Sequence, residues 1–117
     1  MIVICHKTCT TCKKAKQWLA DNGFAYEERD VKTQNPSREE LQIWYEKAGL
    51  PIKRWFNTSG NLYKEYNLKE KLPNMTVEEQ LDLLATDGML VKRPFVVTDD
   101  GKVLTGFKEK EWAEALL

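Results

Sequence analysis

Three cysteines are the residues of this 117-residue chain best suited to covalent chemistry. All of them lie in the stretch Cys5-His6-Lys7-Thr8-Cys9-Thr10-Thr11-Cys12. Cys9 and Cys12 form a Cys-x-x-Cys pair, and three-residue spacing puts both on one side of a helix. One sulfur can then attack a disulfide made by the other. The reactive species is the thiolate, which the orphan N–H groups and the dipole at a helix N-terminus favour. Cys9 is therefore expected to be the acidified nucleophile and Cys12 the resolving thiol. Cys5 reads as a small buried apolar residue ending a strand. His6, the only histidine, reads as a solvated loop residue, with proton exchange beside Cys9 as the alternative. The spacing Cys5-x-x-x-Cys9-x-x-Cys12 also matches an iron–sulfur ligand set. That reading needs Cys5 to leave its strand, and no second ligand pair follows for zinc, so no metal site is expected.

The flanking residues supply the elements that place this pair. The apolar run from Met1 to Ile4 or Cys5 predicts a strand. Ala15, Trp18, Leu19 and Asn22 recur at helical spacing, predicting a helix from Thr10 to Asn22 that stops at Gly23. Phe24 to Val31 predicts a second strand, and this order suggests a right-handed parallel βαβ unit. Ser37-Arg38-Glu39-Glu40 and Thr76-Val77-Glu78-Glu79 are capping boxes. The first opens a helix carrying Leu41, Trp44, Tyr45 and Ala48 and ending at Gly49. The second opens one carrying Val77, Leu81 and Leu84 and ending at Gly88. Between them, Trp55 to Gly60 reads as a loop and Leu62 to Tyr66 as a short helix. Phe95 to Thr98 and Lys102 to Thr105 flank Asp99-Asp100-Gly101, a hairpin signal. A last helix starts near Lys108 and buries Trp112. The expected fold is α/β: a thioredoxin-like mixed sheet, βαβ then ββα, with a helical insertion over about residues 32–88 in a single domain of residues 1–117.

Composition narrows the function classes. Hydrophobic residues make up 42% and charged residues 31%, as in a globular protein, and 18 basic residues balance 18 acidic ones. That balance argues against direct nucleic-acid binding. No apolar run approaches the roughly 20 residues of a membrane span. No secretory signal is visible, and clustered, odd-numbered cysteines do not look like a secreted disulfide framework, so a reducing, cytoplasmic setting is expected.

Cys9-x-x-Cys12-Lys13-Lys14-Ala15, Trp55-Phe56-Asn57-Thr58-Ser59-Gly60 and Lys92-Arg93-Pro94-Phe95-Val96-Val97 follow one another across nearly the whole chain. In that order they resemble the arsenate reductase (ArsC)/Spx family. The resemblance implies that Cys9 aligns with the nucleophile of the glutaredoxin-coupled arsenate reductases. It implies that Arg93 aligns with an oxyanion-binding arginine, and that Pro94 follows a cis peptide bond. It puts Cys9, Cys12 and Arg93 in catalytic positions, and Thr8, Asn57 and Pro94 in substrate-binding ones. The chain departs from the reductases at Asn57 and Gly106, where two further arginines fall in them, and at Cys12, where Spx-type regulators also carry cysteine. The activity implied is thiol–disulfide oxidoreduction by a monomer with no bound cofactor, drawing electrons from glutathione, glutaredoxin or thioredoxin. Two alternatives are a redox-sensing Spx-type regulator binding RNA polymerase, and a true arsenate reductase using Arg93 alone.

Overall fold

The computed structural model describes residues 1–49 and 51–117. Its sheet has the order β2-β1-β3-β4, so the strand that leads into the cysteine loop is internal. Strand β1 (Ile2–Cys5) pairs in parallel with β2 (Glu27–Asp30) and antiparallel with β3 (Phe95–Val97). Strand β4 (Val103–Thr105) closes the other edge, antiparallel to β3. The chain crosses from β1 to β2 through helix α1 (Thr10–Asp21).

Alternation along β1 and β3 sorts their side chains between two cores. Val3, Cys5 and Val96 face one, where Leu19 of α1 and Trp112 of α6 (Glu109–Leu116) cover them. Ile4, Phe95 and Val97 face the other, beneath the insertion. That insertion comprises α2 (Arg38–Ala48), α3 (Asn61–Glu65), α4 (Leu68–Lys71) and α5 (Val77–Thr86), joined by 3-10 turns. Both capping boxes form: Ser37 Oγ accepts the Glu40 N–H and Thr76 Oγ1 the Glu79 N–H, each at 3.1 Å. The aromatic side chains interlock. Trp55 meets Phe95 edge-on at 5.2 Å and Tyr45 at 5.7 Å, and each fully buried large side chain contributes about 1.5–3 kcal/mol.

Three local expectations change. The second strand is confined to Glu27–Asp30. Phe24, which was expected to begin it, instead stacks on Trp18 of α1 at 6.0 Å. The first residue of the stretch read as a loop, Trp55, instead ends a 3-10 turn, Ile52–Trp55, and is fully buried. Phe56 then bridges to Val91, which joins the insertion to the approach to β3. Helix α4 carried no signal in the sequence. It has four residues, no side-chain cap, and a left-handed Asn67 (φ 54) before it.

Candidate redox site

Cys9 is the N-cap of α1. Its backbone is extended (φ −81, ψ 115), and its Sγ accepts the Cys12 N–H at 3.3 Å. Sulfur thus takes the place of the oxygen that usually satisfies a first-turn N–H. The Cys9 N–H donates to the His6 carbonyl at 3.0 Å, closing the turn that leaves β1. Cys9 is half-buried, whereas Cys12 and Cys5 are 1% and 3% exposed in the core beneath α1. Of the three thiols, Cys9 is the most exposed.

The three thiols titrate as a group, and the charge falls on Cys12. Its pKa is lowered to about 6, above all because the Cys5 thiol donates to it. The His6 backbone N–H, the Cys9 thiol and the Arg93 charge add to this, against the cost of burial. Burial and donation to Cys12 together raise Cys9, and the Cys12 N–H and Arg93 do not reverse that. Cys5 is pushed up as well, by donating to Cys12 and by burial. The expectation of an acidified Cys9 is therefore corrected. The helix terminus acts on both sulfurs, but Cys12 collects more donors.

Arg93 lies close enough to influence both sulfurs. Its Nη1 sits 3.2 Å from Met89 Sδ, and it makes no ion pair among the described residues. The Arg93–Pro94 bond is cis and Pro94 is buried. Two backbone bonds hold this segment against the insertion: Asn57 N–H to the Leu90 carbonyl at 2.7 Å, and Lys92 N–H to the Trp55 carbonyl at 2.9 Å. Asn57 and Arg93 consequently line one hollow. Thr8 does not join them: its hydroxyl pairs with His6 Nδ1 at 2.7 Å on the exposed loop.

A model of the ArsC family matches residues 5–115. The chain belongs to the ArsC family. It is 55% identical over 106 residues to the uncharacterized protein YusI of Bacillus subtilis, covering 91% of this chain and 89% of YusI. It is 32% identical over 106 residues to the regulatory protein MgsR of the same organism, covering 91% of this chain and 82% of MgsR. A solved ArsC-family-related structure from Bacteroides fragilis superposes with a TM-score of 0.91 at 51% identity, covering 97% of this chain and 94% of that one.

Within this ArsC-family site, Gly106 has φ +71, and a Cβ there would lie 3.4 Å from Lys92 Cε. Among the described residues no group of three or more His, Cys, Asp or Glu is arranged to hold a metal ion. No described helix is long and apolar enough to cross a membrane. Reading the sequence missed one feature. Lys53, Arg54, Lys92 and Lys108 gather with Arg93 around a single cleft. The available signal was two basic doublets, Lys53-Arg54 before Trp55 and Lys92-Arg93 before Pro94.

Proposed function

We propose that this ArsC-family chain is a cytoplasmic thiol–disulfide oxidoreductase. The observation that carries the reading is the half-buried Cys9 at the N-cap, its Sγ accepting the N–H of Cys12, which lies buried one turn on. Above about pH 6 Cys12 carries the charge and Cys9 holds a proton that the two sulfurs can exchange. When that proton rests on Cys12, the Cys9 thiolate attacks a substrate disulfide R–S–S–R. The S–S bond breaks, Cys9–S–S–R forms, and RS⁻ leaves. The Cys12 proton passes to that leaving thiolate or to water. The Cys12 thiolate then attacks Cys9 Sγ, forming the Cys9–Cys12 disulfide and expelling the second RS⁻. Two electrons move from the protein to the substrate, and glutathione, glutaredoxin or thioredoxin returns them. Arg93 stabilises the sulfur carrying charge at each step.

Replacing Cys12 with Ser tests this, because it removes the second attack. The variant is expected to accumulate a mixed disulfide on Cys9 that the wild type does not hold. An adduct on Cys5, or turnover by the variant equal to the wild type, would overturn the assignment.

A second reading, in which the same disulfide switches a regulator's grip on RNA polymerase, is supported by the relation to MgsR. Capture of RNA polymerase by only one of the reduced and oxidised proteins would favour it. Arsenate reduction is the least supported reading, since of three arginine positions only Arg93 carries a guanidinium.

A further inference from the structure

The chain has no net charge, yet one cleft concentrates positive charge. A cavity of about 590 Å³ is lined by Lys53, Arg54, Lys92, Arg93 and Lys108 against a single carboxylate, Glu111. None of those five cations takes part in an ion pair among the described residues, whereas Arg29 and Arg38 elsewhere are paired with carboxylates. The convergence is built by the backbone. The Lys92 N–H to Trp55 carbonyl bond sets the 3-10 turn bearing Lys53 and Arg54 beside Lys92 and Arg93. The Gly106 N–H to Pro94 carbonyl bond, at 3.0 Å, brings in the segment leading to Lys108. Thr11, next to Cys12, forms part of the cleft wall, and Arg93 belongs both to the cleft and to the surroundings of the sulfurs. Phe107 adds an aromatic surface. The volume lies within the range of small-molecule sites. Unpaired guanidinium and ammonium groups offer charge-assisted donors to phosphates or carboxylates.

We propose that this cleft binds the anionic part of a small-molecule disulfide and so presents its S–S bond to Cys9. The inference rests on the oxidoreductase reading and names the substrate class for it. The electron balance is the one given above: the disulfide gains two electrons and leaves as two thiols, while Cys9 and Cys12 become a disulfide.

The test is single-turnover oxidation of the pre-reduced full chain, freed of reductant and followed as the loss of two hydrogens in the intact mass. Three probes are compared: coenzyme A disulfide, carrying phosphates; oxidised glutathione, carrying carboxylates; and neutral bis(2-hydroxyethyl) disulfide. Each rate is normalised to that of the same probe with a free thiol. At low salt at least one anionic probe should react about tenfold or more faster than the neutral one, and the advantage should shrink towards and beyond ~0.15 M ionic strength. The double variant Lys53→Ala/Lys108→Ala should lower the anionic-to-neutral ratio several-fold. Preference for coenzyme A disulfide identifies phosphate as the ligand group, and preference for oxidised glutathione identifies carboxylate. Equal normalised rates for all three probes, or a ratio unmoved in the double variant, would overturn the cleft assignment and leave the redox reading standing. Failure of all three to oxidise the protein would overturn both.

Discussion

Cys9 and Cys12 experience the same helix terminus and the same arginine, yet their environments drive them apart, because Cys12 accepts from Cys5, His6 and Cys9. Absorbance of the reduced protein at 240 nm should therefore show one thiolate appearing with a midpoint of about 6. Replacing Cys5 with Ala removes the largest stabilising donor, so the midpoint should rise towards the free-thiol value of about 8.5. An unmoved midpoint would show that Cys5 does not set it. Because the lowered pKa keeps Cys12 charged above about 6, resolution of a mixed disulfide should be rapid there and slow as pH falls through that value. Arsenate is a further residue-scale question. Two missing charged hydrogen bonds, at roughly 1.5–3 kcal/mol each, amount to about 3–6 kcal/mol, or two to four orders of magnitude in rate. Steady-state turnover with glutathione and glutaredoxin should fall below that of a three-arginine reductase by that factor. Asn57→Arg with Gly106→Arg should not restore it, because φ +71 at Gly106 strains any side chain by about 1–3 kcal/mol. Rapid wild-type turnover would show that other cations substitute.

At the scale of elements, the thiol at the site is also a structural cap. Cys9→Ala removes the acceptor of the Cys12 N–H, whereas Cys9→Ser keeps an oxygen there. Urea denaturation under reducing conditions should find the Ala variant less stable than the Ser variant by about 1 kcal/mol. Equal stability would mean that Cys9 does not cap α1. The helices opened by Ser37 and Thr76 were legible because their caps are local: acceptor and returning glutamate lie three residues apart in the chain. The end of α5 before Gly88 was legible too, but the reason a glycine stands there was not. Gly88 reads as a helix stop, but a Cβ there would lie 1.7 Å from the Val31 carbonyl oxygen. It is a contact glycine, pressing the insertion against the end of β2, and nothing near it in sequence reports Val31. Gly88→Ala should cost about 1–3 kcal/mol or more as overpacking, measurable as a lower urea midpoint. A neutral substitution would show that the two segments separate easily. Strand β2 was overextended for a related reason: Phe24 has strand propensity, but Trp18 offers it a stacking partner on α1.

At the scale of the whole molecule, the apolar run Val3, Ile4 and Cys5 sends successive side chains to opposite faces of the sheet, and a core covers each face. The Cys-x-x-Cys pair was legible because its chemistry and its spacing are both local. Of its surroundings, Asn57 and Arg93 were named only through the family resemblance, and the basic cleft was not read at all. Asn57, Arg93 and the basic cleft assemble from segments dozens of residues apart, held by bonds such as Asn57 N–H to Leu90 and Lys92 N–H to Trp55. The partition of charge among three sulfurs likewise depends on Cys5 and Cys12 meeting in one core, which spacing alone does not specify. The fold thus buries two thiols and leaves the third at the surface, and the account stands on that division of roles. Peptide mapping of the wild-type protein, after reaction with one equivalent of a small disulfide, tests it most directly. A Cys9–Cys12 bond with Cys5 left as a free thiol is expected; a dominant bond to Cys5, or a stable adduct on Cys12, would overturn that division of roles.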